Sequence, residues 1–512
     1  MLLPYLSETQ NASKKYSVVF RGINYGEATQ DGEFADTYNL STDKYPCLTQ
    51  RAKRVNAGHF EAPTTIHAKS KLLVIDGTKV MYGDKEVGTV TEGKKQTATV
   101  GNYIVIFPDK VYYKVPTEDT EGEFGSMTAE YKLNEGEELK FTASTITTTG
   151  ADFNFKEGDA VKIEGCKENG NNKEIIVRSV SEKVLTFADN SFTVATETES
   201  VTLKRDVPDL DFICESNYRL WGTKGNTIYA SKFSDPLNFK VFDGLVDDSY
   251  AIEVGSEGEF TGCIPYSSHI CFFKENTLHK LYGTKPSNFQ INTVNVYGVQ
   301  SGSERSMQIV NEQLLYKGVN GVYSYTGGVP ELISEKFGNR RYSDAVACCD
   351  GETYYISMKQ GETWNLFAYD VMRNIWLRED NTRMVDAAFY DGKVYFLDDK
   401  SNLYFIDKAA DRDGTEWGAT FCTFHETMNE KKGYSKFHLR MDMGENSWIA
   451  VDIKTDNDTK WREVYTTHNE KAKTVSIPII PTRCDSIDIR IRGKGKCTIK
   501  TFIREFTVGS DV

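Results

Sequence analysis

The sequence predicts an all-β protein: an irregular β-propeller core, an inserted small β-barrel, and a C-terminal β-sandwich of jelly-roll-like type. Three observations predict this class. Aromatic residues make up 12% of the chain, and aromatic rings suit pleated strand surfaces. Apolar residues seldom recur with the spacing of a helix. Instead, short apolar strands, polar turns containing Gly, Asn or Asp, and aromatic-rich strands follow one another as hairpins.

The hairpins define the predicted propeller. From residue 218 onward they begin about 35 to 55 residues apart, which is the spacing of four-stranded propeller blades. Counting them suggests about six or seven blades, and the alternative is a pair of β-sandwiches made of similar hairpins. The hairpins occupy residues 71–82, 102–115, 218–230, 269–282, 313–325, 353–369 and 387–406.

The spacing breaks once, between the second and the third hairpin. We therefore assign residues 61–115 and 209–410 to the propeller and residues 116–208 to an inserted barrel of about five strands. Insertions at loop tips cost the host domain little stability.

The two ends of the chain differ from the hairpin region. Residues 1–60 contain little regular patterning, which predicts an extended arm packed along another surface. Residues 411–512 contain segments with period-two alternation, such as 436–443 and 486–492. Such alternation is typical of antiparallel strands with one face in water, so we predict a sandwich here.

Composition and motifs argue against catalysis and against nucleic-acid binding. The net charge is −13, which does not attract phosphate over the whole surface. The sequence contains no HExxH, GxSxG or P-loop pattern. We therefore predict a protein that is not an enzyme and needs neither a metal nor another cofactor.

Paired carboxylates are relevant because some propellers are glycosidases, which need two facing carboxyl groups. The sialidase pattern SxDxGxTW is absent from the sequence, which weighs against a hydrolase. The candidate pairs are Asp209 with Asp211, Asp247 with Asp248, and Asp398 with Asp399.

Two small basic clusters are candidate subunit contacts. Arg51 and Arg54 lie near the N-terminal end, and Arg490 and Arg492 alternate on one face of a predicted strand. A solvated sheet edge that discourages aggregation is the first interpretation of the second cluster. Contact with an acidic neighbouring subunit is the alternative.

One acidic loop is a candidate channel lining. It contains Glu118, Asp119, Glu121 and Glu123. Carboxylates repel the phosphates of passing DNA, so such a loop would keep DNA from sticking. A solvated loop without this role is the alternative.

Several sequence runs resemble the tail nozzle or tail-neck structural proteins of bacteriophages. Residues 38–51, with Phe34 before them, are similar to the start of such proteins, and the central runs are similar to their propeller strands. The resemblance covers about residues 30–410 and is most specific at DPLNF. The central runs are RLWG (219–222), NTIYAS (226–231), SDPLNF (234–239), FKENTL (273–278) and LYG (281–283).

The resemblance implies a mechanical role. Proteins of this family form a ring, commonly a hexamer, that lines the DNA-ejection channel and contacts portal or adaptor and tail-fibre proteins. We therefore expect a virion structural protein, made in the host cytoplasm, that lets genomic DNA pass without specific binding. No segment of signal-peptide or membrane-span character occurs in the sequence. The alternatives are a carbohydrate-binding or carbohydrate-cleaving propeller at the host surface and a bacterial scaffold protein.

Overall fold

The computed structural model confirms the all-β class. It describes residues 12–188, 190–410, 414–426, 430–456, 458–468, 473–480 and 483–508. The strands of these residues form ten sheets, and the helices are four short 3₁₀ turns. The 3₁₀ turns are Asn169–Asn171, Pro286–Asn288, Glu304–Ser306 and Glu335–Phe337.

Seven of the ten sheets are four-stranded and antiparallel, as propeller blades are. In six of them the four strands are consecutive in the sequence, and a predicted hairpin supplies two of the four. Blade 1 contains Pro63–Lys69, Lys71–Asp76, Lys79–Tyr82 and Lys85–Thr89; blade 2 contains Gln96–Val100, Tyr103–Phe107, Val111–Lys114 and Glu123–Ser126; blade 3 contains Phe212–Ser216, Arg219–Lys224, Thr227–Ala230 and Tyr250–Glu253. Blade 4 contains Phe260–Tyr266, His269–Lys274, Thr277–Tyr282 and Gln290–Asn295; blade 5 contains Gln308–Val310, Gln313–Gly318, Gly321–Tyr325 and Glu331–Leu332; blade 6 contains Ser343–Cys349, Thr353–Gln360, Thr363–Asp370 and Ile375–Asp380.

Blade 7 takes its fourth strand from the other end of the chain. Its first three strands are Met384–Tyr390, Lys393–Asp398 and Asn402–Asp407, and Lys53–His59 pairs antiparallel with the last of these. The N-terminal segment is therefore not an extended arm throughout, as predicted, because its final residues form a strand of a blade.

The chain divides into two compact units. One comprises Met1–His59 with Arg305–Val512, and the other comprises Phe60–Glu304. Within the second unit, the first strands of blades 1 to 4 lie side by side, and within the first unit those of blades 5 to 7 do the same. Hydrophobic clusters fill the space between neighbouring blades of each unit. This division differs from the predicted domains, which kept the blades in one domain and the sandwich in another.

The C-terminal residues form the predicted sandwich, but they do so together with the N-terminal segment. Residues of both sheets share one hydrophobic cluster, which also includes Ile375 and Leu377 of blade 6. The seven-stranded sheet contains Ser13–Ser17, Leu40–Ser41, Leu48–Gln50, Lys432–Met443, Thr474–Pro478, Arg483–Cys484 and Cys497–Val508. The six-stranded sheet contains Gly22–Ile23, Glu33–Tyr38, Glu416–Phe421, Trp448–Thr455, Arg462–Thr467 and Ile487–Lys494.

The insert between blades 2 and 3 has more strands and fewer residues than predicted. It is one eight-stranded sheet, and it starts after Ser126 because Glu123–Ser126 completes blade 2. Side chains from both halves of the sheet pack into one cluster, so the sheet encloses its own core. Its strands are Ala129–Lys132, Leu139–Phe141, Thr145–Thr148, Ala160–Glu164, Glu174–Ser181, Val184–Phe187, Ala195–Glu197 and Thr202–Arg205.

Candidate interaction surface on blade 3

The long connection between the third and fourth strands of blade 3, residues 231–249, presents large apolar side chains to solvent. Together with the nearby turn that contains Tyr218, we call this the apolar loop surface. Exposed large apolar side chains that cluster on one surface typically mark protein contacts. The exposed members are Tyr218 (61%), Phe233 (44%), Phe242 (59%), Leu245 (58%) and Val246 (67%).

A buried arginine holds this loop in shape. The guanidinium of Arg219 is inaccessible to solvent and donates hydrogen bonds to the carbonyl oxygens of Ser231, Val246 and Asp248, at 2.8 Å for Ser231 and 2.9 Å for Val246. Its charged group also lies 5.9 Å from the ring centre of Phe233. Burial lowers the pKa of Arg219, while Asp247 and Asp248 act in the opposite direction. One cation thus fixes three separate points of the loop backbone.

An aspartate fixes the tip of the same loop. The Oδ2 of Asp248 accepts hydrogen bonds from the backbone N–H groups of Gly244, at 2.6 Å, and Leu245, at 3.0 Å. Gly244 has φ +81°, a conformation that glycine adopts readily. The exposed side chains of Leu245 and Val246 therefore stand on a backbone that is already ordered.

The start of the loop is the SDPLNF run (234–239), one of the runs that resemble phage proteins, and it anchors the blade to the insert. Asn238 donates hydrogen bonds to Asp235 Oδ2 at 2.6 Å and to Asp159 Oδ1 at 3.1 Å. Asp159 belongs to the insert and is buried, with Arg205 Nη1 at 2.5 Å from its Oδ2. Leu237 lies in the cluster between blades 2 and 3. The motif is thus a structural joint, a role that the sequence pattern did not reveal.

Arg51 and Arg54, predicted as interface residues, are turned inward. Arg54 pairs with Glu379 at 2.6 Å and with Asp380 at 2.7 Å, and its guanidinium lies 5.6 Å from the ring centre of Phe396. Burial lowers the pKa of Arg54, but the two carboxylates outweigh it and the net shift is upward. The Nε of Arg51 lies 3.8 Å from the same Glu379, so both arginines tie the N-terminal segment to blade 6. A contact of these arginines with a neighbouring subunit stays a prediction. The basic residues by themselves did not indicate that the acidic partners of Arg54 lie more than 300 residues away in the sequence.

Arg490 and Arg492 share one face of the six-stranded sheet, and both are partly exposed. Their strand pairs on both sides, so they do not lie on a sheet edge as first interpreted. Both contact Asp452, and they lie over the rings of Trp461 at 4.6 Å and Trp448 at 5.5 Å. Burial raises the pKa of Asp452, but the hydrogen bonds and charges of the two arginines lower it by more, so the net shift is downward and the carboxylate stays ionised. A contact with a neighbouring subunit through this face stays a prediction.

The acidic residues Glu118, Asp119, Glu121 and Glu123 are exposed, as a channel lining requires. They lie in the connection to the last strand of blade 2, and Glu123 begins that strand. Tyr112 donates a hydrogen bond to Glu123 at 2.7 Å, and its own pKa is raised by burial and by this carboxylate. Their position in a channel stays a prediction.

Of the six carboxylates considered for catalysis, all but Asp399 have a local ion pair or hydrogen bond. Three of them form ion pairs with lysines, and two accept hydrogen bonds from loop backbone N–H groups. Among the described residues, no group of three or more His, Cys, Asp or Glu side chains is placed to hold a metal ion. The ion pairs are Asp209 with Lys110, Asp211 with Lys224 and Asp247 with Lys232; the backbone acceptors are Asp248 and Asp398.

Comparisons with known proteins yield distant structural likenesses only. No family model and no curated protein matches the chain. BamB from Moraxella catarrhalis is 9% identical and has a TM-score of 0.36, with 71% of this chain and 98% of that chain covered. The computationally designed Ika8 protein is 9% identical at a TM-score of 0.30, with coverages of 69% and 98%. The endosialidase of phage phi92 is 11% identical at a TM-score of 0.24, with coverages of 90% and 75%. Likenesses at this level do not identify a function.

In the described part of the chain, no helix has the length and apolar character needed to cross a membrane.

Proposed function

We propose that this protein is a structural subunit of a bacteriophage tail or neck, which assembles with further copies of itself into a ring. The apolar loop surface is the observation that carries the proposal. Its large side chains are exposed in the single chain and stand on an ordered backbone. Burial against a neighbouring subunit would remove this apolar area from water, which is the main driving force of association.

The order of the loop favours tight assembly. A flexible loop must lose backbone conformational entropy when it docks, at about 1–2 kcal/mol per residue that becomes fixed. Arg219 and Asp248 have already fixed the backbone on which Leu245 and Val246 stand. The loop can therefore dock without a large ordering cost, as expected for a permanent building block.

In this proposal the protein works mechanically and is not an enzyme. A ring, with six subunits as the first expectation, surrounds the path of the DNA, and the acidic 118–123 loop faces that path. Portal or adaptor proteins bind on one side of the ring and tail fibres on its periphery. The assembly takes place in the host cytoplasm, and the protein remains in the virion.

The test is the oligomeric state of the purified chain. Analytical ultracentrifugation at micromolar concentration should show a ring-sized species for the wild type and a monomer for Val246→Asp combined with Leu245→Asp. The control is Val329→Asp, because Val329 is more exposed (76%) than Leu245 (58%) and Val246 (67%) but lies outside the loop surface. Negative-stain images should show rings with a central hole. A wild-type monomer, or one that releases sugars from a capsular polysaccharide, would contradict the proposal.

A further inference from the structure

The outer edge of blade 4 is a strand that pairs on one side. Gln290–Asn295 is the last of the four strands of this blade, and among the residues that the structure describes no other strand pairs with its outer side. Four of its six side chains are exposed: Gln290, Asn292, Thr293 and Asn295. The edge of a sheet presents unpaired backbone N–H and C=O groups to any extended chain that approaches it.

The direction of each backbone group in this strand follows from its pairing within the blade. The carbonyl oxygen of Asn276 accepts a hydrogen bond from the backbone N–H of Val296 at 3.2 Å, which continues the register of the strand pair. Along an antiparallel strand, the backbone groups of successive residues point alternately to the two sides. The groups that point away from the blade therefore belong to Ile291, Thr293 and Asn295.

This outer strand lacks the features that protect the edges of the other blades. Natural proteins protect sheet edges with charged side chains, β-bulges, very short strands or a covering segment. Gln290–Asn295 is six residues long, contains no charged residue and pairs without a register shift. The outer strands of the other six blades all contain charged residues, and those of blades 1 and 7 also have register shifts. These six strands are Lys85–Thr89, Glu123–Ser126, Tyr250–Glu253, Glu331–Leu332, Ile375–Asp380 and Lys53–His59.

The edge of blade 4 adjoins the apolar loop surface. Phe289 directly precedes the outer strand, and its ring centre lies 6.0 Å from the guanidinium of Arg219. The same guanidinium lies 5.9 Å from the ring centre of Phe233, an exposed member of the apolar loop surface. A partner that covers the apolar loop surface therefore lies next to the start of this strand.

Charge favours a second copy of the chain as the partner. Each copy carries a net charge of −13, so two copies repel each other wherever acidic groups meet. Contact between copies costs least where the touching segment is uncharged, as Gln290–Asn295 is. A basic partner, in contrast, would gain from an acidic edge such as that of blade 3, whose outer strand ends in Glu253.

We propose that an extended segment of a neighbouring copy pairs with Gln290–Asn295 and adds a fifth strand to blade 4. The inference rests on the proposed ring and specifies a contact that joins its subunits. In strand addition, main-chain hydrogen bonds supply the affinity. Here the outward groups of Ile291, Thr293 and Asn295 form them, and the apolar loop surface is buried in the same interface.

Analytical ultracentrifugation of the full chain and of variants at one residue tests the pairing. Asn295→Pro removes an N–H group that points away from the blade, so the hydrogen bonds within the blade stay intact. Asn295→Asp keeps the shape of the side chain and places a carboxylate at the contact. Each variant should raise the dissociation constant of the ring at least about tenfold. The control is Asn102→Asp, at an exposed asparagine in a turn of blade 2, which should leave association unchanged.

Hydrogen exchange measures the same contact at the backbone. The amides of Ile291, Thr293 and Asn295 should exchange at least about tenfold more slowly in the assembled wild type than in the same chain diluted until it is monomeric. Association of both Asn295 variants as tight as that of the wild type, or equal exchange in the two states, would overturn this inference and leave the ring in place. A wild-type chain that stays monomeric at micromolar concentration would overturn the ring and this contact with it.

Discussion

The joint between the insert and blade 3 offers the most direct test of the structure, through a double-mutant cycle on Asp159 and Arg205. Both side chains are almost completely buried, with 3% and 6% of their surfaces exposed, and their charged atoms are 2.5 Å apart. Arg205→Met leaves the carboxylate of Asp159 buried without its cation. Removing one partner of a buried ion pair costs about 3–5 kcal/mol.

The remaining contacts of the joint set the expected pattern of the cycle. Asp159→Asn leaves the guanidinium without the charge of Asp159, and its other acceptor among the residues that the structure describes is the carbonyl oxygen of Met127, at 3.3 Å. We expect a loss of about 3–5 kcal/mol for this variant too. The double variant Asp159→Asn with Arg205→Met removes both charges together. Its loss should be at least about 3 kcal/mol smaller than the sum of the two single losses, because neither buried charge remains unpaired.

Hydrogen exchange followed by mass spectrometry measures these losses locally, since exchange protection reports the free energy of opening for each segment. Peptides from residues 129–205 should lose protection in each single variant and regain part of it in the double variant. The reasoning is refuted if the single variants change protection by less than about 1 kcal/mol, or if their losses simply add in the double variant.

Two further predictions concern backbone space and acid sensitivity. Gly22→Ala should lower the free energy of unfolding, measured in urea, by about 2–4 kcal/mol. Gly22 has φ +82°, and a Cβ atom added there would lie 2.4 Å from the carbonyl oxygen of Trp376. The control Gly58→Ala should lower it by less than about 1 kcal/mol, because a Cβ atom added to Gly58 meets no atom within 4 Å. Equal losses would contradict this packing. Burial lowers the pKa of His279 to about 4, so the unfolded chain binds the proton first and stability should fall by up to about 3 kcal/mol as pH drops from 6.5 to 4. His279→Gln should make the free energy of unfolding depend less on pH between 6.5 and 4. If the variant loses stability with falling pH as steeply as the wild type does, the assignment of this effect to His279 is wrong.

Patterns within about fifteen residues predicted the local structure well. The hairpin predicted at residues 71–82 forms, with Asp76 paired to Lys79 and Gly77 in the turn at φ +61°. The alternation in residues 436–443 correctly predicted a strand with one buried face. These features depend on turn chemistry and on side-chain period, which are properties of neighbouring residues. The apolar loop surface escaped prediction because exposure of Phe242 and Val246 depends on what the remainder of the fold covers.

The sequence by itself determined that the chain forms hairpins, that they repeat at blade spacing, and that an insert interrupts them. Only the tertiary structure decided which distant segments complete the sheets. Lys53–His59 closes blade 7, and Gly22–Ile23 and Glu33–Tyr38 enter the six-stranded sheet. A sheet edge has unpaired N–H and C=O groups that any extended segment can satisfy. The ion pair between Arg54 and Glu379 likewise forms only because the fold brings two distant parts of the chain together, and no local sequence pattern connects them.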